Sequence, residues 1–172
     1  DQNISCLNNY AYYLSLENTQ LDKAEEMSYR TIKAEPTNRT YLDTYAWILF
    51  MQGRYAEARL YIDMVLTSEN KADEEDISGV LWEHAGDIYY HCGEREKALE
   101  AEIEKQVEKA IEKALDCLSN MQKDNGGFSS YETENSESSV QVIVALCSLG
   151  IPIDDVRFVK NGKSVLDNLF TY

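Results

Sequence analysis

The chain has 172 residues, 44% of them hydrophobic, with only two prolines and eight glycines. This composition excludes a disordered or fibrous chain and favours long helices over strands and turns. A formal charge of −15 argues against nucleic acid and anionic membranes as partners, because both present phosphate; the charge serves solubility first and is compatible with a basic or neutral peptide.

The opening residues, Asp1-Gln2-Asn3-Ile4, read as a helix start with no initiator Met and no leader-like pattern, as expected of a fragment or a processed chain. No apolar run approaches the ~18 residues of a membrane span. The cysteines are Cys6, Cys92, Cys117 and Cys147; none sits in a CxxC pair and none has a histidine at ligand spacing. Buried free thiols are therefore expected, rather than a disulfide framework or a zinc site.

In chain order, small residues recur in matched places. Ala11, Ala46 and Gly86 each fall in the middle of an expected helix, and Ala24, Ala58 and Ala98 each fall in the helix that follows. Ala24 and Ala58 are 34 residues apart, and Ala58 and Ala98 are 40 apart, so about six residues are inserted between the second and third units, in the polar stretch 67–76. The second unit carries Leu42, Tyr45, Ala46 and Leu49, then Gly53 at a turn, then Ala58, Ile62 and Val65. The third carries Trp82, Ala85, Gly86 and Tyr89, then Gly93 and Ala98; the first carries Ala11, Ala24 and a closing Pro36, with Thr19-Gln20 in place of the turn glycine.

These residues, over roughly 1–106, resemble the tetratricopeptide repeat, a helix-turn-helix unit of about 34 residues. The resemblance implies an all-α, right-handed superhelix of three helix pairs whose concave face is lined by the first helix of each pair. Asn8, Asn9, Tyr12, Asp43, Tyr45, Trp47, Glu83 and Asp87 are the candidates for that groove, with a peptide or protein segment as the partner.

Between Glu94 and Gln122 no helix stop occurs, which predicts one long helix over 94–122. Its centre, 100–116, contains no Gly, Pro, Ser, Thr or aromatic residue. Ile103, Val107, Ile111, Leu115 and Leu118 advance by threes and fours, which predicts a single buried stripe. The shift to a Glu/Lys/Ala/Ile vocabulary reads as a joint at which two natural helical modules were artificially made to share one helix.

From 107 to 172 the pattern changes. Lys123-Asp124-Asn125-Gly126-Gly127-Phe128 predicts a glycine turn that delivers a phenylalanine. Residues 136–149 predict a helix with Val140, Ile143, Val144, Leu146 and Cys147 inward, stopped by Gly150 and Pro152, and a further helix is expected from Asn161. The string from Gln122 to Phe128, followed by a Ser-rich helix start and Ala145-Leu146-Cys147-Ser148-Leu149-Gly150, resembles the α/α-toroid repeat of prenyltransferases and terpene cyclases. That resemblance implies a partial toroid with an unfinished apolar face suited to self-association. The Asp-x-Asp-Asp motif and the Asp/Cys/His zinc set of those families are absent, so the fold piece is carried over and the chemistry is not.

No catalytic, cofactor-binding or metal-binding constellation is expected. His84 and His91, seven apart, are too few for a metal site and read as packing or surface residues. Asp154-Asp155 reads as a solvated loop. Ser129-Ser130 and Ser138-Ser139 lack a nearby histidine, and Asp124-Asn125-Gly126 lacks the remaining ligands of a calcium loop. Glu132, Glu134 and Glu137 are expected at a helix N-terminus, where the helix dipole favours anions. The function expected is that of a non-catalytic helical scaffold, with a peptide-binding adaptor as the alternative.

Overall fold

A computed structural model describes residues 3–67, 79–130 and 133–172. The polar insertion at 68–76 and Glu132 lie outside the described residues. The protein is all-α in character: among the described residues are eight α-helices and two minimal β-hairpins. It divides into two compact units, Asp1–Glu108 and Lys109–Tyr172.

The first unit holds α1 (Ile4–Leu16), α2 (Leu21–Ala34), α3 (Arg39–Met51), α4 (Tyr55–Thr67), α5 (Gly79–His91) and the first half of α6 (Arg95–Met121). Asn3 and Asn38 cap α1 and α3, each accepting a backbone N–H three residues on, from Cys6 and Tyr41. Gly53 and Gly93 end α3 and α5 with φ near +77° and +80°. In that conformation Arg54 N–H reaches back to the Leu49 carbonyl, and Glu94 N–H to that of Tyr89. At the end of α1 the matching bond runs from Thr19 N–H to the Leu14 carbonyl, so Asn18, at φ +48°, takes the glycine's place. Thr19 and Gln20 then lengthen the loop, and Gln20 is also left-handed, at φ +47°.

Helix α1 packs against α2 and α3, and α3 against α4 and α5. Ala11, Ala24, Ala46, Ala58 and Ala85 are fully buried at these crossings, where a side chain no larger than methyl lets backbones approach. In α6 the fully packed small residue is Ala101, with Ala98 only partly buried; Gly86 of α5 sits against both.

Helix α6 is continuous for 27 residues, about 40 Å at 1.5 Å per residue. Its expected stripe is corrected, because Ile103 and Val107 are each about half exposed while Leu115 is buried. At 100° per residue, Ile103 stands roughly 160° around the helix from Ala101, whereas Lys105 and Glu108 lie within about 40° of it. The inward line therefore runs through charged residues: Lys105 Nζ lies 3.3 Å from Glu83 Oε2, and Glu108 lies beside Gly79.

The second unit packs the end of α6 with α7 (Ser136–Ser148), a 3-10 turn (Val156–Phe158) and the short α8 (Val165–Leu169). Leu115, Phe128, Val142, Leu146, Phe158 and Val165 form its core. Two hairpins, β1 (Ser129–Ser130) with β2 (Thr133–Glu134) and β3 (Val159–Lys160) with β4 (Lys163–Ser164), were not expected. Asn161 and Gly162, at φ +51° and +75°, are the turn of the second hairpin. The last helix thus begins at Val165, not at Asn161. Ser164 starts it by bonding the Asp167 N–H, and the Asp167 carboxylate answers at the Ser164 N–H.

The inward row of α7 is Ser139, Val142 and Leu146, with Ile143 beside it; Val140, Val144 and Cys147 face outward, contrary to expectation. Ser139 decides the orientation. Its hydroxyl accepts the Phe128 N–H and donates to Asn168, fixing a polar side chain inside and turning Val140 out. The cysteine expectation is corrected as well: Cys6, Cys117 and Cys147 are exposed, and only Cys92 is partly covered. Asp155 is no free loop residue, since it caps the 3-10 turn and pairs with Arg157. Glu137 does lie in the first turn of α7, but Glu134 instead accepts from Asn125 and Asn168.

Candidate functional site

The repeat register organises the candidate residues of the first unit. Three positions before each mid-helix small residue stand Asn8, Asp43 and Glu83; two before it stand Asn9, Thr44 and His84; one after it stand Tyr12, Trp47 and Asp87. The same cross-link occurs twice between successive units. Asn8 Nδ2 donates to Thr44 Oγ1 at 3.1 Å, and Asp43 accepts from His84 Nδ1 at 2.9 and 3.1 Å. A residue of the first series thus bonds the second series of the following unit. Glu83, on the third unit, meets Lys105 of α6 instead.

His84 is the centre of this face. It is buried, and because a carboxylate only accepts, its Nδ1 carries the proton toward Asp43. Its ring stacks on Trp47 at 4.1 Å and 15°, and Tyr12 of α1 approaches it at 6.0 Å. Farther along, Trp47 stacks on Phe50 at 4.8 Å, and Phe50 meets His91 edge-on at 5.1 Å. Burial raises the Tyr12 hydroxyl pKa above its ordinary value, and the carboxylates of Asp43 and Glu83 add to the effect. Tyr12, Asp43 and Glu83, on three different helices, therefore share one electrostatic environment.

Of the groove candidates, Asn8, Tyr12, Asp43, Trp47 and Glu83 come together, and exposed Asp87 lies one helical turn beyond Glu83. Asn9 is exposed. Tyr45 does not join them. It is buried against Tyr61 at 4.7 Å and donates its hydroxyl to Glu25, among α2, α3 and α4. Burial, followed by the Glu25 carboxylate, pushes its pKa up to about 12. Its position explains the difference: Tyr45 is two residues from both Asp43 and Trp47, which turns it about 160° around the helix from each. His84 was read from sequence as a packing or surface residue, and its role as a hub went unseen. Aligning the three units by their small residues places it beneath Thr44 and one series over from Asp43, the signal from which the pairing follows.

Two polar atoms on this face, Asn8 Oδ1 and Trp47 Nε1, are buried and have no hydrogen-bond partner among the described residues. A buried acceptor or donor left unpaired costs about 1–3 kcal/mol. Elsewhere, an open cleft of about 450 Å³ lies at the turns after α3 and α5, lined by Arg54, Tyr55, Arg59, His91, Cys92 and Glu94. Its arginines are already engaged, Arg54 by Glu25 and Glu57, Arg59 by Asp63 and Glu94. In the second unit a cleft of about 460 Å³ is bordered by Gln122, Lys123, Asp124, Asn125 and Glu134. Glu134 there accepts hydrogen bonds from Asn168 and Asn125 and faces the Lys123 ammonium at 3.6 Å, and these hydrogen bonds, with that charge, keep its carboxyl below the ordinary range.

Among the described residues no group of three or more His, Cys, Asp or Glu side chains is placed to hold a metal ion, and no helix is long and apolar enough to cross a membrane. Compared with known proteins, the chain matches no family model, no curated protein and no solved structure.

Proposed function

We propose that this protein is a non-catalytic helical scaffold, two helical modules joined through α6, whose first module is a tetratricopeptide-like adaptor for a peptide segment. The observation that carries this reading is the convergence of Tyr12, Trp47 and Glu83, from three successive odd-numbered helices, around the Asp43–His84 pair. Repeat stacks present such rows on their concave side, where an extended chain lies across several units at once. A packing role for His84 fits the non-catalytic reading: one ring face is covered by Trp47 and one nitrogen is held by Asp43.

Support for the scaffold part comes from α6. It has no break between Arg95 and Met121, and the middle of the helix is held by Glu/Lys-rich sequence and pairs such as Gln106–Glu102. Such a segment gains its stability from intrinsic propensity, as a deliberately joined helix of two parent modules would.

The chain carries two tryptophans, Trp47 and Trp82, which give two indole N–H signals. In titration with a random-sequence nonapeptide mixture, the Trp47 signal is expected to shift, while that of Trp82, packed against the hydrophobic core, holds still. Saturating peptide that leaves Trp47 unmoved ends the adaptor reading.

A further inference from the structure

We propose that Asn161, in the turn of the β3–β4 hairpin, is a site of spontaneous deamidation through a succinimide, and that the fold protects Asn125 from the same reaction. The reaction needs a backbone nitrogen that can reach the asparagine side chain. A following glycine permits this best, because it has no Cβ in the way. Asn125-Gly126 and Asn161-Gly162 are the two such pairs in the sequence.

The two pairs differ in what holds them. Around Asn125 each participating group is engaged. Its Nδ2 donates to Glu134 Oε1 at 2.8 Å, and its Oδ1 accepts from the Gly127 N–H at 3.1 Å. The attacking nitrogen, that of Gly126, donates to the Lys123 carbonyl at 2.9 Å, and Gly126 is buried against the backbone of Lys163 and Ser164. Asn161 and Gly162 are both exposed. The Asn161 side chain makes one long hydrogen bond, 3.4 Å to the Asp124 carbonyl, and the Gly162 N–H has no hydrogen-bond partner among the described residues. Among those residues nothing beyond its chain neighbours lies within 4 Å of where a Gly162 Cβ would stand, so the turn has room to rearrange. Lys160 and Lys163 flank the pair, and positive charge nearby favours loss of the amide proton.

In the reaction the Gly162 nitrogen gives its proton to solvent and bonds to Asn161 Cγ, closing a cyclic imide. The Cγ–Nδ2 bond breaks and ammonia leaves with a proton from solvent. Water then opens the imide at either carbonyl, giving aspartate or isoaspartate. One water is consumed, one ammonia is released, and nothing is oxidised or reduced. The isoaspartate product carries an extra methylene in the main chain. The two-residue turn, with φ of +51° and +75° and Lys160 paired to Lys163, has no place for it. The strain falls on the second unit's core, because the Phe158 carbonyl accepts from Gln122 at 2.9 Å and Lys160 Nζ lies 3.0 Å from Ser119 Oγ.

The test incubates the full chain at physiological temperature in mildly alkaline buffer, folded or unfolded in urea, and follows both sites by chymotryptic peptide mapping with mass spectrometry. In the folded chain Asn161 is expected to convert about tenfold or more faster than Asn125, since several hydrogen bonds must open at one site and a single long one at the other. In urea the two rates are expected to converge. The isoaspartate form, separated by its added negative charge, is expected to melt below the unmodified chain. Equal rates in the folded chain, faster conversion of Asn125, or a folded chain inert at both sites while the unfolded one reacts, each overturns the assignment. An isoaspartate form that melts with the parent overturns the coupling of the turn to the core.

Discussion

Asp43 on α3 holds His84 on α5 through both carboxylate oxygens, at 2.9 and 3.1 Å, and this pair occupies the same repeat positions as the Asn8–Thr44 bond between α1 and α3. The two bonds tie successive units together by the same side-chain register. The Asp43–His84 bond is the stronger, because it has a carboxylate acceptor and its imidazole stacks on the Trp47 ring. Replacing Asp43 with Ala is expected to destabilise the protein by about 1.5–3 kcal/mol, read as a lower urea midpoint. Thr44→Val, which breaks the neutral bond, is expected to cost only about 1 kcal/mol. Equal losses in the two variants contradict the ranking.

Acid acts through Glu25. Burial pulls its carboxyl upward, but hydrogen bonds from Arg54, Gln52 and Tyr45, with the Arg54 charge, hold it below the ordinary 4.5. The unfolded chain therefore takes up this proton first as pH falls. Its contribution is complete above the unfolded value and declines as pH drops through 4.5 toward the lower folded value. Glu25→Gln is expected to lower stability at pH 7 by about 1 kcal/mol, a modest value because Arg54 is partly solvated, and to flatten the acid limb of the stability–pH curve. An unchanged acid limb rules this out.

Helix α6 offers a contrast between a half-exposed apolar pair, Ile103 and Val107, and the buried Leu115. Ile103→Gln and Val107→Gln are each expected to shift unfolding by less than about 0.5 kcal/mol, since both side chains are already about half exposed. Leu115→Ala, in the core of the second unit, is expected to cost about 2–5 kcal/mol. Chemical denaturation of the three variants checks both halves.

Glycine 127 is required for space. A Cβ there would stand 2.6 Å from Glu134 Oε1 and 2.7 Å from Asn168 Nδ2, whose own bond is 2.9 Å. Gly127→Ala must part that pair, and a loss of about 1–3 kcal/mol is expected in thermal unfolding. An alanine variant as stable as the parent would show that the pair yields freely.

Thiol chemistry reports the corrected cysteine placement. Cys6, Cys117 and Cys147 are expected to react promptly with an aromatic disulfide reagent in the native protein. Cys92 is expected to lag, because burial pushes its thiol pKa up and its Sγ lies 3.4 Å from the Tyr55 carbonyl. Four equally fast thiols contradict this assignment.

Helix identity, the turn glycines and the spacing of small residues were legible in the sequence, because backbone propensity, left-handed turns and close helix approach each depend on single residue types. Gly53, Gly93, Ala11, Ala46 and Ala58 all sit where those rules place them. The length of α6 was legible for the same reason. Which side of a helix turns inward was less so. Val140, Val144, Ile103 and Val107 are apolar yet exposed, while Ser139 and His84 are polar yet buried, because a hydrogen-bond partner from a distant element makes a polar side chain cheaper to bury. Asn168, Asp43 and Thr44 are those partners or their counterparts, 29 to 41 residues away. Local sequence carries propensity and period; the matching of a donor with an acceptor across such separations exists only once the chain has folded.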